Sequence, residues 1–211
     1  MTGAAFLLLA LAQVAALADW IAVQRRSKPL EYLCKPLVVV LLVGAALALD
    51  PADATARGWF VAALALCLVG DVCLMLPRDL FVAGLVAFLA GHLAYVVGFH
   101  AQGIDAARFA VGVALVVAVG LVVGRRILRG ARAGPDPALA GPVVAYLCVI
   151  SAMVASAVGA GGILAVAGAL LFYASDGLIA EDRFVGPVRH GPLLVIVTYH
   201  LAQMALVTSL V

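Results

Sequence analysis

Two aspartates lie inside apolar stretches, where a charged side chain is expensive. Asp71 belongs to the segment VGDVCLMLPRDLF at residues 69–81, and Asp176 belongs to LFYASDGLIAEDR at residues 171–183. A carboxylate at membrane depth costs roughly 2.5–3.5 kcal/mol on insertion scales, so it is rarely found there without a partner or a task. We therefore take Asp71 and Asp176 as the candidate catalytic pair.

The two segments share a pattern of spacing. An arginine follows each aspartate by seven positions, Arg78 in the first segment and Arg183 in the second. The next apolar run carries His-Leu-Ala each time, beginning at His92 and at His200. The number of positions between the two aspartates is nearly the same as the number between the two histidines. The pattern predicts a weak internal duplication in which each half contributes one intramembrane aspartate and one histidine.

Two carboxyl groups that share a low-dielectric cavity cannot both ionise easily. We expect one to keep its proton near neutral pH, which gives the acid and the base that hydrolysis uses. The structural alternative is that each carboxylate pairs with Lys35 or an arginine and only holds helices together. A metal site of the two aspartates and the two histidines is a further alternative, with ligands from four different helices.

Further polar side chains surround these positions along the chain. Tyr95 follows His92 by three residues and Gln203 follows His200 by three, so each pair shares a helix face. Ser175 lacks the G-x-S-x-G context of a hydrolase nucleophile. For each histidine, a hydrogen bond to a backbone carbonyl is an equally good explanation. The candidate substrate-binding residues are Lys35, Arg78, His92, Tyr95, Tyr173, Ser175, Tyr199, His200 and Gln203.

The composition identifies the surroundings of these residues. Hydrophobic residues make up 66% of the 211 positions and charged residues 11%, whereas soluble domains are about 45–50% apolar and about 25% charged. An integral membrane protein is therefore predicted. Asp19 and Glu31 lie near predicted helix ends, where solvation explains them. The cysteines lie in apolar runs without C-x-x-C spacing, which favours buried, inert thiols over disulfides or zinc; they are Cys34, Cys67, Cys73 and Cys148.

Eight apolar runs are each long enough to cross a bilayer. They show no period-2 alternation, which favours helices over strands. The predicted limits are 3–23, 31–49, 58–76, 80–100, 106–124, 138–158, 161–180 and 191–210. The prediction is an all-α polytopic bundle in one transmembrane domain over residues 1–211. Half-repeats 1–105 and 106–211 would be related by an axis along the membrane normal, so that the two aspartates face each other across a central cavity.

The basic residues predict the orientation. Of the 13 Lys and Arg residues, all except Arg57 and Arg108 lie in or beside the loops after the first, third, fifth and seventh helices. The positive-inside rule places those loops in the cytoplasm and both termini outside. The cluster between Arg125 and Arg132 has no interleaved aromatic residues. We assign it to topology and to contact with anionic lipid, and not to nucleic acid.

Several segments together resemble a known family. Their order and spacing are similar to the YhhN-like family of lysoplasmalogenases. The resemblance extends from about the second predicted helix to the eighth. It implies a multi-pass enzyme that hydrolyses the vinyl ether bond of lysoplasmalogens to a fatty aldehyde and a glycerophospho-base, and it maps the family's intramembrane acidic residues onto Asp71 and Asp176. The matching segments are KPL at Lys35–Leu37, GDVCLML at Gly70–Leu76, FVAGLVAFLAGHLAYVVGF at Phe81–Phe99, LFYASDGLIA at Leu171–Ala180 and TYHLAQMAL at Thr198–Leu206.

The implied reaction suits a pair of carboxyl groups. Protonation of the alkene carbon gives an oxocarbenium ion, water adds to it, and the hemiacetal collapses; this needs an acid, a base and a water, and no cofactor. Lys35 or Arg78 would hold the phosphate of the lysophospholipid at the cytoplasmic interface. A proton-coupled membrane transporter with the same aspartates as a relay is the alternative of a different class. A metal-dependent lipid hydrolase is the third reading.

Overall fold

Eight long helices account for most of residues 1–211, all of which are described in a computed structural model. Each helix is long and apolar enough to cross a membrane. The predicted all-α, multi-pass class is thus confirmed, with eight spans. The helices are α1 Gly3–Gln24, α2 Lys28–Ala48, α3 Ala54–Met75, α4 Phe81–Ala101, α5 Ala106–Ala133, α6 Ala140–Ala160, α7 Ile163–Phe184 and α8 Gly191–Thr208.

Local chemistry explains where the helices depart from their predicted limits. α3 begins four residues early because Asp53 caps it, its carboxylate accepting a hydrogen bond from the Ala56 backbone N–H. α7 runs on to Phe184 through a charged last turn. Within that turn Arg183 donates to Asp79, at 3.1 Å, and so ties the end of α7 to the loop before α4. The hydrophobicity of the sequence alone predicts neither the cap nor the charged last turn.

Asp79 lies in the loop between α3 and α4, outside the membrane-spanning helices. The hydrogen bond from the Arg183 guanidinium lowers the pKa of the Asp79 carboxyl below its ordinary value. A group with a lowered pKa contributes its stabilisation above that pKa and loses it as the pH falls through it. The pair therefore stays ionised at neutral and mildly acidic pH. A second ion pair, between Arg126 of α5 and Glu181 of α7, ties the same end of the bundle.

Six helices form a ring, in the order α2, α3, α4, α6, α7 and α8, with α8 returning to α2. α1 lies outside the ring against α2 and α8, and α5 lies outside against α6. The last part of α5, after a π-helical turn at Gly120–Gly124, also contacts α7. α3 and α7, which carry the two aspartates, lie across the ring from one another.

Aromatic rings fill the centre of this ring of helices. Phe172 of α7 packs edge-on against His92 and Tyr199, with ring centroids 4.6 and 5.3 Å apart. Phe88 of α4 packs against Tyr199 at 5.9 Å. Such edge-to-face pairs contribute about 0.5–1.5 kcal/mol each beyond the area they bury. The rigid aromatic centre fixes the positions of the polar groups around it.

The expectation of four buried cysteines is correct only for Cys34 and Cys67. Cys73 is half-buried, and Cys148 lies on the outer face of α6. The prediction was wrong for these two because an apolar run in a membrane protein does not distinguish side chains that face lipid from side chains that face the core. No disulfide joins any of the four.

Candidate active site

Asp176 is the centre of a three-residue cluster. Its Oδ2 atom accepts a hydrogen bond from the Tyr146 hydroxyl of α6 and lies 3.0 Å from Nε2 of His92 on α4. The same Nε2 lies 2.9 Å from the Tyr146 hydroxyl oxygen. Because the Tyr146 hydroxyl donates its hydrogen bond to Asp176, the Nε2–H group of His92 is the donor in both of its contacts. Nδ1 of His92 faces the Met153 sulfur at 3.2 Å.

The second carboxylate oxygen of Asp176, Oδ1, accepts no hydrogen bond and is not sealed from solvent. The side chain as a whole is 11% exposed. Two donors on Oδ2 stabilise the ionised form of the carboxyl group. The cluster therefore leaves one oxygen available to a ligand and stabilises the charge that remains when that oxygen gives up a proton.

The space in front of Asp176 is an apolar cavity. It is lined by 16 residues from α3 to α7, 14 of them hydrophobic, as is usual for small-molecule sites. Asp176 and Tyr146 line its inner end. Phe81 and Phe184 line the end that is predicted to face the cytoplasm. At 1.5 Å per residue, the eight residues from Asp176 to Phe184 correspond to a depth of about 12 Å.

Asp71 belongs to a second and more saturated cluster. It is 1% exposed, and its Oδ1 lies 3.2 Å from the Lys35 ammonium of α2. Its Oδ2 accepts a hydrogen bond of 2.6 Å from the Tyr199 hydroxyl of α8. Gln203 donates to that hydroxyl and accepts from Tyr95, at 3.3 and 2.5 Å. Both oxygens of this carboxylate are thus engaged by the protein itself.

The two aspartates belong to separate clusters. No hydrogen bond joins them, and they share no side-chain partner. Asp71 is not among the residues that line the cavity. The expectation that both carboxyl groups face one central cavity is therefore met by Asp176 alone, because Lys35 and Tyr199 cover Asp71.

Lys35 lines an open groove at the predicted cytoplasmic end of the bundle. Its side chain is 15% exposed. The groove also carries Arg26, Lys28 and Arg183, together with the acidic residues Glu31 and Asp182. This is a mixed, mainly cationic surface. Arg78, the other candidate for holding a phosphate, is exposed in the loop after α3, makes no ion pair and does not line the groove.

Two of the remaining candidates lie on one turn of α7 but face different neighbours. Tyr173 lines the apolar cavity. Ser175 is 1% exposed and donates its hydroxyl to the Val195 carbonyl of α8, at 3.1 Å. Ser175 therefore contacts the neighbouring helix instead of the cavity.

His200 lies in a separate buried cluster with α1. Nδ1 of His200 accepts a hydrogen bond of 3.1 Å from the Trp20 indole. Because indole can only donate, a neutral His200 carries its proton on Nε2. That nitrogen lies 4.0 Å from Oδ2 of Asp19, too far for a hydrogen bond, and neither oxygen of Asp19 has a partner.

The interpretation of Asp19 as a solvated residue near a helix end is wrong. Asp19 is 0% exposed, because its side chain faces His200 of α8, which packs against α1. Glu31 pairs with Lys28 at 2.8 Å in the first turn of α2.

The residues considered as metal ligands do not meet at one point. His92 contacts Asp176, whereas His200 faces Asp19 and Asp71 contacts a lysine. No group of three or more His, Cys, Asp or Glu side chains in the chain is arranged to hold a metal ion. The geometry gives the four-ligand site no support.

Sequence reasoning missed Tyr146 and Met153, which surround His92. A tyrosine inside an apolar run was a usable signal, since buried hydroxyls almost always find a hydrogen-bond partner. Methionine gave no signal, because it is an ordinary core residue.

Comparisons with known proteins find related sequences. The model of the YhhN family matches residues 30–210. The chain is 34% identical over 177 residues to the human (Homo sapiens) protein named Lysoplasmalogenase TMEM86B, across 84% of this chain and 74% of that protein. It is 36% identical over 156 residues to proteins named Lysoplasmalogenase from Mycobacterium bovis and Mycobacterium tuberculosis, across 72% of this chain and 59% of theirs. This chain thus spans about three fifths of the length of the mycobacterial relatives. No solved structure matches the chain.

Proposed function

This chain belongs to the YhhN family, and from that membership and the site around Asp176 we propose that it is a membrane-embedded hydrolase of lysoplasmalogens. It cleaves the vinyl ether bond and releases a fatty aldehyde and a glycerophospho-base. One observation carries the proposal to this chain. A carboxyl group with one oxygen bound by Tyr146 and His92 presents its other oxygen to an apolar cavity within the membrane-spanning bundle.

In the first step Asp176 acts as the acid. The proton on its Oδ1 passes to the alkene carbon farther from the ether oxygen, and the positive charge that develops is shared between the other carbon and that oxygen. Tyr146 and His92 stabilise the carboxylate that forms, because both donate to its Oδ2. The new carboxylate in turn stabilises the oxocarbenium ion beside it.

In the second step a water molecule adds to the oxocarbenium carbon. Asp176, now a base, accepts a proton from that water, which restores its acid form and gives a hemiacetal. The hemiacetal then breaks between the carbon and the original ether oxygen. The hemiacetal hydroxyl gives up its proton and becomes the carbonyl of the aldehyde, which thus keeps the oxygen of the water. The glycerol oxygen takes up one proton and leaves as an alcohol.

Asp71 has a different part in this two-aspartate scheme. Both of its oxygens are engaged, so it acts as a fixed anion that holds the Lys35 ammonium at the edge of the groove. A cation there meets the phosphate of a lysophospholipid. Tyr199, Gln203 and Tyr95 contribute through Asp71, as the chain of hydrogen bonds behind it.

The test is the release of aldehyde by purified protein in detergent from lysoplasmenyl-ethanolamine. We expect stoichiometric aldehyde and glycerophosphoethanolamine. Two matched lipids are the controls, one with an ester and one with a saturated ether in place of the vinyl ether, and neither should react. A protein that releases no aldehyde, but exchanges solute across sealed proteoliposomes, would be the transporter instead.

A further inference from the structure

We infer that the hydrocarbon chain of the substrate leaves the cavity sideways, past Tyr173 and Leu147, and lies in a groove on the bilayer-facing side of α6. This inference rests on the proposed function and assigns a binding site for the chain within it. The groove is flanked by α5 and by Tyr173 of α7 and contains about 1050 Å³ of empty space.

Two residues connect the two spaces. Leu147 and Tyr173 line both the cavity in front of Asp176 and the groove outside, so their side chains form the partition between them. Both are only half-buried. The Tyr173 hydroxyl makes no hydrogen bond within the protein, so no polar contact holds this side chain in place. These two side chains can therefore move aside for a flexible hydrocarbon chain at a small cost in free energy.

The position of the reacting group directs the hydrocarbon chain toward Tyr173 and the groove. Tyr173 precedes Asp176 by three residues, so the two share one face of α7. A vinyl ether held against Oδ1 of Asp176 therefore places the next carbons of its chain beside Tyr173. The chain needs to travel only one helical turn to reach the groove.

The opposite end of the cavity suits a head group and not a hydrocarbon chain. Phe81 and Phe184 close it, with ring centroids 5.9 Å apart. The Arg183 guanidinium lies 4.7 Å from the centre of the Phe81 ring and binds Asp79. Burying hydrocarbon among these charges gains no free energy, whereas 11 of the 15 residues that line the groove on α6 are hydrophobic.

The packing of α5 keeps the groove open to the bilayer. The part of α5 before its π-helical turn packs on α6, and only the part after the turn also contacts α7. Gly120, in the π-helical turn, lines the groove, and a Cβ atom added there would meet nothing within 4 Å. π-helical turns are frequent at functional sites. Here the turn leaves an unfilled position that a chain can occupy.

The experiment fills the groove without touching the reacting groups. Gly120→Leu projects a side chain into open space, and Ala152→Leu adds bulk from an exposed position of α6 that also lines the groove. Gly58→Leu is the matched control, because a Cβ atom there also meets nothing and Gly58 lines neither space. Each variant is assayed with a hexadecenyl lysolipid and with a butenyl analogue, whose chain ends inside the cavity.

We expect both groove variants to raise KM for the hexadecenyl substrate at least about tenfold, equivalent to losing about two buried methylene groups. KM and kcat for the butenyl substrate should stay within about twofold, and Gly58→Leu should change neither. Equal effects on the two substrates, or no effect on the long one, would overturn the proposal.

A binding measurement separates this inference from the proposed function. Calorimetric titration with saturated hexadecyl and butyl ether lysolipids requires no catalysis. Gly120→Leu should weaken binding of the hexadecyl lipid alone. If that selectivity is seen and no aldehyde is ever released, the groove holds a chain but the assigned reaction is wrong. If aldehyde is released and no selectivity is seen, the reaction stands and the groove assignment fails.

Discussion

At the scale of single residues, Asp71 and Asp176 differ through their hydrogen-bond partners. Asp71 has a lysine and a tyrosine, one for each oxygen. Asp176 has Tyr146 and His92 on one oxygen and none on the other. Since a carboxyl group can deliver a proton only from an oxygen that the substrate can reach, this difference divides the two roles in our proposal.

Asp176→Asn should reduce kcat at least about a hundredfold, the usual scale for loss of an acid–base group. Tyr146→Phe should cost less, about tenfold, because one donor to the developing carboxylate is lost while the acid remains. Aldehyde release under substrate saturation measures both. Tyr32→Phe, at an exposed tyrosine of α2, is the control. A folded Asp176→Asn variant with near-normal turnover would remove Asp176 from the chemistry.

Lys35→Met should lower the stability of the protein by roughly 3 kcal/mol, because the buried Asp71 carboxylate loses its cation. The double variant Lys35→Met/Asp71→Asn should recover at least half of that loss, since no unpaired charge is then left behind. Thermal unfolding in detergent measures the cycle. If the effects of Lys35→Met and Asp71→Asn on stability simply add in the double variant, the 3.2 Å contact contributes nothing to stability.

The same variant separates two roles of Lys35 in catalysis. If Lys35 meets the phosphate of the substrate, Lys35→Met raises KM more than it lowers kcat. A fall in kcat with KM unchanged would place the lysine beside the reacting carboxyl group instead.

Asp19→Asn should leave thermal stability unchanged or raised, and activity within about threefold. Its carboxyl group is buried with no partner, and burying a polar or charged group without a hydrogen bond costs free energy. An amide of the same shape avoids the larger part of that cost. A loss of activity of more than tenfold in a folded variant would instead show that the buried Asp19 and His200 have a functional role.

The sequence identified most polar residues of the site but not their grouping. Lys35, Asp71, Tyr95, Tyr199 and Gln203 are joined by hydrogen bonds or ion pairs in one cluster. These residues lie on four helices, α2, α3, α4 and α8, and spacing along the chain does not predict which helices are neighbours. His200 illustrates the limit, since its place in the repeat pattern suggested the site and its side chain faces α1.

At the scale of helices, glycine sets how closely neighbours approach. A Cβ atom added to Gly168 of α7 would lie 3.0 Å from the Ala202 carbonyl oxygen of α8. Small residues at such positions allow close backbone contact in membrane bundles. This contact holds α7, which carries Asp176, against α8, which carries Tyr199.

Gly168→Ala should destabilise the protein by about 1–3 kcal/mol, because the added methyl group must push the backbone of α8 away. Gly58→Ala should be neutral or slightly stabilising, since the methyl group enters open space and alanine favours the helix. Thermal unfolding of both variants in the same detergent gives the comparison. Equal stability of the two would show that α7 and α8 adjust without cost.

Helix existence was predictable from the sequence, and helix ends were less so. All eight runs are helices because the lipid interior leaves their backbones no other partner. The extension of α5 to Ala133 was missed because its last part is rich in arginine, and a hydrophobicity criterion ends where charge begins.

At the scale of the whole molecule, the packing of the helices is nearly unchanged when the two halves are exchanged. α2 packs on α3 as α6 packs on α7, and α4 packs on α6 as α8 packs on α2. Each aspartate also takes one partner from the helix before it and one from the last helix of the other half. The contact of α1 with α8 has a less extensive counterpart between α5 and α4, where the rings of Phe109 and His100 lie 6.3 Å apart. The duplication stays a prediction that this pattern favours.

The orientation in the membrane also stays a prediction. Four of the eleven basic residues that predict it, Arg26, Lys28, Lys35 and Arg183, line the open groove at the predicted cytoplasmic end of the bundle. If the positive-inside rule holds here, the head group of the substrate is bound from the cytoplasmic leaflet.

The central claim is that Asp176 delivers a proton to the alkene carbon of a vinyl ether, and the deuterium content of the product tests it most directly. The reaction is run in D2O with purified protein, and the aldehyde is reduced at once with borohydride so that later exchange is prevented. We predict one deuterium on the carbon next to the former carbonyl, and no product above background from Asp176→Asn. An aldehyde without that deuterium, or a normal yield from the variant, would contradict the account.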